Sequence, residues 1–147
     1  LGADCPFFIY NTPCYAEGIG DVLSPISLNL KGLRLLMIKP NCGVSTKEAY
    51  AGISPKGNSN LANYSDMSDL FAQAENDFEE TVFVVHPEIA AIKKRLQQAG
   101  AVYAAMSGSG STVFGLFQDD AEGRTDIELR LLHEEFAEMV IFDDTLG

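Results

Sequence analysis

Residues 107–111 have the composition of an anion-binding loop. Serine and glycine alternate between two apolar runs, as Ser107, Gly108, Ser109, Gly110 and Ser111. Glycine permits positive φ and a close approach of a ligand to the backbone, while consecutive N–H groups and serine hydroxyls can converge on an anion such as a phosphate. The same composition suits a plain hairpin turn. The run alone therefore leaves phosphate binding and a simple turn as open alternatives.

Asp4 is a second candidate, because a carboxylate can accept a proton from a reacting hydroxyl group. It lies within residues 1–8, between small residues and an apolar, strand-like run. An acid in this position also suits a cap or a loop, and without context that structural role is favoured. The sequence opens within this pattern and without an initiator Met, so we expect a front half of the protein to precede Leu1.

Other residues with chemical potential have ordinary structural roles as the first expectation. Tyr50 lies on a short predicted helix, where an aromatic ring is usually half-buried and stacks on a ligand only if one is adjacent. His86 and His133 have no neighbouring nucleophile motif, so we expect a cap or a surface role for each. Three cysteines, Cys5, Cys14 and Cys42, without CxxC spacing indicate reduced thiols and neither a disulfide framework nor a metal site.

Composition limits the class of protein. With 147 residues, 46% of them hydrophobic and 21% charged, the chain fits one folded domain, residues 1–147. The net charge of −11 argues against nucleic acid, which basic patches bind. We expect no membrane partner and a cytoplasmic protein, because the sequence has neither a long apolar span nor a signal-peptide pattern.

The elements that must position these residues follow from periodicity and turn residues. We expect an α+β fold in which helices cover one face of an antiparallel sheet. Residues 54–65 form the long loop, and the acidic runs 75–80 and 134–138 are expected to be solvated. The predicted strands lie in 5–26, as a hairpin, and at 33–38, 101–106, 112–117 and 140–142. The predicted helices are 47–53 after a Ser45 or Thr46 cap, 67–74, one starting near Phe78 after Asn76 and Asp77, one from Pro87 to Gly100, and 129–139.

Four motifs in register carry a resemblance to a known family. They are Leu-Gly-Ala-Asp-Cys-Pro-Phe-Phe at 1–8, Ala-Glu-Gly-Ile-Gly-Asp at 16–21, Asn-Asp-Phe-Glu at 76–79 and Ala-Ala-Met-Ser-Gly-Ser-Gly-Ser-Thr-Val-Phe-Gly at 104–115. Their order and spacing resemble the GHMP kinase superfamily. The resemblance implies a ferredoxin-like C-terminal domain. It also implies an isoprenoid-pathway enzyme that moves the γ-phosphoryl group of ATP, with Mg²⁺, onto a cytidine-diphosphate sugar alcohol.

The resemblance assigns roles by position. Asp4 matches the catalytic aspartate, Thr46 and Tyr50 match the lining of the cytidine pocket, and residues 107–111 match the third glycine-rich motif. The family's lysine-bearing strand and its glycine-rich phosphate loop do not occur in this sequence. We therefore expect them in an N-terminal ATP-binding domain that this chain lacks. The chain alone is expected to bind neither ATP nor a metal and to have no kinase activity.

Two alternatives to this interpretation remain open. The chain can be a non-catalytic module that binds a small molecule, because fold alone does not settle function. It can also be a half that docks on its own N-terminal domain and otherwise self-associates. The apolar cluster of residues 7–10 is the predicted surface for that contact.

Overall fold

The structure, a computed structural model, describes Ile9, residues 11–53 and residues 64–147. The strands are β1 (Cys14–Glu17), β2 (Val22–Pro25), β3 (Leu33–Ile38), β4 (Tyr103–Met106), β5 (Val113–Gln118) and β6 (Val140–Thr145). The helices are α1 (Thr46–Ala51), α2 (Met67–Gln73), α3 (Phe78–Val85), α4 (Pro87–Gln98) and α5 (Arg124–Phe136), followed by a 3₁₀ turn at Ala137–Met139.

The strands form two antiparallel units. Strands β1 and β2 pair as a hairpin, and the other four form one sheet in the order β4-β5-β3-β6. Along the chain, β3 is followed by helices, then β4, β5, α5 and β6, and every neighbouring pair in the sheet is antiparallel. This is the connectivity of a ferredoxin-like split βαβ arrangement. The predicted α+β fold with an antiparallel sheet is confirmed.

The main core lies between the helices and one face of the sheet. Ile38, Val113 and Met106 are cross-strand partners, so their side chains share a face, and all three are buried. The predicted apolar stripes of α4 and α5 pack against this face. The stripe of α4 contributes Ile89, Ile92 and Leu96, and that of α5 contributes Leu129 and Leu132. Each such side chain stabilises the fold by about 1.5–3 kcal/mol when fully buried.

Helix α2 contacts the opposite face of the sheet. Successive strand residues point to opposite faces, so Tyr103 faces away from Met106. The ring of Phe71 stacks on Tyr103 with 5.1 Å between centroids, and the Tyr103 hydroxyl donates to Ala74 O at 3.2 Å. Among the described residues, helical cover is therefore extensive on one face, and the short helix α2 lies on the other.

Local differences from the predicted elements are small. Ile9 is helical and 82% exposed, so the strand predicted there is wrong, although the hairpin that follows is confirmed. Met139 lies in the 3₁₀ turn and not in α5. Ten of the twelve residues predicted as the long loop, 54–63, lie outside the described residues. Within the described part, no helix combines the length and apolar character needed to cross a bilayer.

Candidate functional site

The serine- and glycine-rich segment is the connection between β4 and β5. Ser107 N donates to Thr112 O at 2.8 Å and Gly110 N donates to Ser107 O at 3.0 Å, so two of its amides are used within the turn. Gly108 and Gly110 both have positive φ, at 55° and 94°. The segment is thus a tight hairpin turn, and the groups left for a ligand lie around Gly108 and Ser109.

The two glycines differ in their surroundings. A Cβ placed on Gly110 would lie 2.8 Å from Met106 Sδ and 3.3 Å from Val44 Cγ2, whereas one on Gly108 would have no atom within 4 Å. Gly110 therefore allows close packing toward the core, and Gly108 faces open space. Ser111 also turns inward, since it is only 6% exposed.

Asn76 anchors the outer side of this turn. Its Nδ2 donates to Met106 O at 2.6 Å and to Gly108 O at 2.8 Å, while its Oδ1 accepts from Phe78 N at 3.0 Å. The predicted cap at Asn76 and Asp77 is confirmed through Asn76, since Asp77 makes no side-chain capping bond. One amide side chain thus fastens the start of α3 to the glycine-rich turn.

Glu79 holds the same turn through its bond to the last residue of β4. Its Oε1 accepts from Met106 N at 2.7 Å, and its other oxygen pairs with Lys93. The side chain is 13% exposed, so the expectation that the acidic run 75–80 is uniformly solvated is wrong at this residue. Neither partner is close to Glu79 in sequence, which explains why composition alone did not identify it.

Helix α1 brings the two predicted substrate residues to the turn. Ser45 is the N-cap, accepting from Glu48 N, so the helix begins at Thr46. Thr46 Oγ1 lies 3.2 Å from Ser109 Oγ. Tyr50, one turn later, is 65% exposed and meets the Phe78 ring edge-to-face, with 4.9 Å between centroids. Its ring is more accessible than expected for a structural aromatic, which leaves area for a planar ligand to stack on.

The structure therefore brings together three of the predicted groups. Thr46 contacts Ser109 in the outer part of the glycine-rich turn, and Tyr50 lies one helical turn after Thr46, although the turn lies far from α1 in sequence. Asp4 lies outside the described residues, so its placement relative to this site stays a prediction. The groups that Thr46, Tyr50 and Ser109 offer to a ligand are hydroxyls and an aromatic ring. These neutral groups suit a base and a sugar, whereas phosphate charge would need further donors.

The side chains of the two histidines contact acidic residues outside the group formed by Thr46, Tyr50 and the glycine-rich turn. His86 occupies the junction of α3 and α4 but makes no capping bond with its side chain, and its Nδ1 lies 3.1 Å from Glu88 Oε1. His133 Nε2 contacts Asp143 Oδ2 at 2.8 Å. Asp143 also accepts two bonds from Arg34, at 2.7 and 2.9 Å. Burial raises the pKa of Asp143, but these hydrogen bonds outweigh it and leave that pKa below its usual value.

Comparison with known proteins places these features in a family. Residues 59–128 match the family described as GHMP kinases C terminal. A Bacteroides thetaiotaomicron protein named 4-diphosphocytidyl-2-C-methyl-D-erythritol kinase is 50% identical over 123 residues, covering 82% of this chain and 45% of that protein. A Bacteroides fragilis protein of the same name is 47% identical over 130 residues, with the same coverage. The chain thus spans somewhat less than half the length of these relatives.

Solved structures agree with the sequence relatives. A crystal structure of 4-(cytidine 5'-diphospho)-2C-methyl-D-erythritol kinase superposes with a TM-score of 0.72 at 28% identity, covering 99% of this chain and 54% of that one. Homoserine kinase from Cytophaga hutchinsonii, at 20% identity, shares the fold with a TM-score of 0.53 over 84% of this chain and 44% of that one. This chain therefore contains the C-terminal domain of the GHMP kinases.

Proposed function

We propose that residues 1–147 are the substrate-side domain of an ATP-dependent kinase. Its substrate would be 4-diphosphocytidyl-2-C-methyl-D-erythritol, in non-mevalonate isoprenoid biosynthesis in the cytoplasm. The observation that carries the proposal is the junction between α1 and the glycine-rich turn, where Thr46 contacts Ser109 one helical turn from the exposed Tyr50. The chain is also 50% identical over 123 residues to a protein named for that activity.

The chemistry of the junction suits the cytidine end of such a substrate. An exposed tyrosine ring offers a stacking surface for a pyrimidine, a contact worth about 1–3 kcal/mol per base. The adjoining hydroxyls of Thr46 and Ser109 can donate to and accept from a ribose or a diphosphate. The stiff turn held by Asn76 and Glu79 keeps Ser109 in place, so its hydroxyl is positioned before the substrate arrives.

The transfer step needs a proton acceptor and a polarised phosphate. We assign the first role to Asp4, which would accept the proton of the attacking hydroxyl or orient that hydroxyl for in-line attack. ATP, with Mg²⁺, supplies the γ-phosphoryl group when it is bound. Thr46, Tyr50 and Ser109 are neutral, and we place the cations that phosphoryl transfer requires in an N-terminal ATP-binding domain.

A chimera tests this function. Residues 1–147 replace the matching C-terminal part of the Bacteroides thetaiotaomicron relative, and phosphorylation of 4-diphosphocytidyl-2-C-methyl-D-erythritol is followed by an ATP-coupled assay. We expect turnover typical of kinases, about 1–100 per second. Asp4→Asn should lower kcat by at least about 100-fold, whereas Asp119→Asn should leave it unchanged. A folded chimera that binds both substrates without turnover would contradict the proposal.

The isolated chain provides the complementary measurement. We expect it to show no turnover, because phosphoryl transfer depends on positioning and on cations around the triphosphate. Normal kinase rates from the chain alone would refute the assignment of ATP binding to a separate domain. Cytidine nucleotide binding by the chain, combined with an inactive chimera, would instead support the non-catalytic binding module.

A further inference from the structure

Three potential metal ligands from separate segments meet outside the candidate substrate site. Cys42 lies in the loop between β3 and α1, His86 lies between α3 and α4, and Glu88 is in the first turn of α4. One ligand atom from each of these side chains lies within 4.8 Å of the other two. The cysteine spacing gave no sign of this, because the fold brings His86 to Cys42 from a distant part of the chain.

We propose that Cys42, His86 and Glu88 form a binding site for Zn²⁺. Thiolate, imidazole and carboxylate are all zinc ligands, and three protein ligands with an open fourth position are a common arrangement for that ion. Tetrahedral bonds of about 2.0–2.3 Å place ligand atoms roughly 3.4–3.6 Å apart, so side-chain rotations that close the present spacing by about 1 Å would suffice. A thiolate and an imidazole disfavour Mg²⁺ and Ca²⁺, which prefer all-oxygen sites.

The surroundings of the three side chains suit this assignment. His86 makes no capping bond, and its ring nitrogen is instead directed at Glu88. Zinc binds the cysteine as a thiolate, so formation of a bond between Zn²⁺ and the Cys42 thiol would release one proton to solvent.

A cavity leaves room for the fourth ligand. It has a volume of about 400 Å³ and is lined by Cys42 and Glu88 together with Ala91, Ile92, Phe136 and Met139, among others. A solvent molecule in this cavity can complete the coordination. Bound zinc would tie the loop that leads into α1 to the start of α4, and so would brace the helix that carries Thr46 and Tyr50.

Metal titration of the full chain tests the proposal in a C5S/C14S background, where Cys42 is the sole thiol. We expect Zn²⁺ to bind with 1:1 stoichiometry in competition with a chromophoric chelator, and to raise the melting temperature. Co²⁺ should give a near-ultraviolet thiolate-to-metal charge-transfer band. Excess Mg²⁺ should displace neither ion.

Variants of the ligands separate this site from incidental binding. Cys42→Ser, His86→Gln and Glu88→Gln should each weaken Zn²⁺ binding at least about tenfold, and Cys42→Ser should abolish the charge-transfer band. His133→Gln keeps all three ligands and should match the background protein. Glu88 is half exposed, so Glu88→Gln is expected to fold even if the other variants do not. Absence of the band from the background protein, or unchanged affinity in Glu88→Gln, would overturn the proposal.

Discussion

At the scale of single residues, Tyr50 combines high exposure with a fixed orientation. The residue is 65% exposed, and its ring packs edge-to-face against Phe78. An exposed aromatic ring that is already oriented loses little conformational entropy when a base stacks on it. Tyr50 therefore adds more to ligand binding than to folding, which makes its substitution informative.

Replacement of Tyr50 should separate binding from stability. Tyr50→Ala removes the stacking surface and is expected to weaken cytidine diphosphate binding about 5- to 150-fold, which corresponds to 1–3 kcal/mol per stacked base. Tyr50→Phe keeps the ring and should bind within about threefold of the parent chain. Isothermal titration calorimetry measures both, and urea unfolding should give nearly equal stabilities. Equal affinities for Tyr50→Ala and the parent chain would exclude stacking at this residue.

The sequence predicted correctly those features of single residues that depend only on their near neighbours in the chain. The short helix with a serine cap, the proline at the start of α4 and the turn glycines were all identified, because each depends on neighbours within four positions. Asn76 and Glu79 were assigned only to capping and to solvent. Their bonds to the β4–β5 turn cross about thirty residues, and no local pattern encodes such a pairing.

At the scale of elements, the β4–β5 turn offers a matched pair of glycines. Gly110→Ala introduces a side chain at φ 94° and within 2.8 Å of Met106 Sδ, so we expect a loss of about 2–4 kcal/mol of unfolding free energy. Gly108→Ala has the same kind of backbone but open space, and should lose about 1 kcal/mol. Urea denaturation measures both. Equal losses would show that packing against Met106 is unimportant.

The start of α5 gives a pH-dependent test. Its N-cap position, Gly123, has no side chain, and Asp120 instead accepts from Arg124 N at 3.0 Å and from Thr125 N at 2.8 Å. These backbone bonds lower the pKa of Asp120 from 3.8 to about 2. A depressed folded-state pKa contributes stability that is present above pH 3.8 and is lost as pH falls toward 2.

The destabilisation caused by Asp120→Asn should therefore disappear in acid. We expect the variant to be less stable than the parent chain at pH 6, and the difference to shrink steadily from pH 4 to pH 2. Asp119→Asn, which leaves the bonds at the helix start in place, should show no such trend. Urea unfolding across this pH range provides the measurement, and a constant difference between Asp120→Asn and the parent chain would contradict the assigned coupling.

At the scale of the whole molecule, the architecture was predictable and the contacts within the site were not. Apolar periodicity and strand-length runs lead to an α+β sheet because they report which side of each element is buried. The register that joins β3, β5 and β6 depends on pairs that are distant in sequence. The Thr46–Ser109 contact also joins residues that are distant in sequence. The resemblance to the GHMP kinases assigned a role to each of these two positions but did not predict that they touch.

The net charge of the chain disfavours self-association, whereas exposed apolar surface favours it. A charge of −11 makes copies of the chain repel, and salt screens this repulsion, with a Debye length of about 8 Å at physiological ionic strength. Ile9, within the apolar cluster of residues 7–10, is 82% exposed. If this cluster mediates contact between copies, association should strengthen with salt, because apolar contact persists while repulsion weakens.

Sedimentation velocity can follow this balance. We expect the weight-average sedimentation coefficient to rise with protein concentration, and to rise further when sodium chloride is increased. Ile9→Ser should reduce the rise, because it removes apolar area from the cluster. Ile19→Ser, which alters a residue 78% exposed in the β1–β2 turn, should leave it unchanged. A monomer at every concentration and salt level, or an equal effect of the two substitutions, would rule out the cluster as the contact surface.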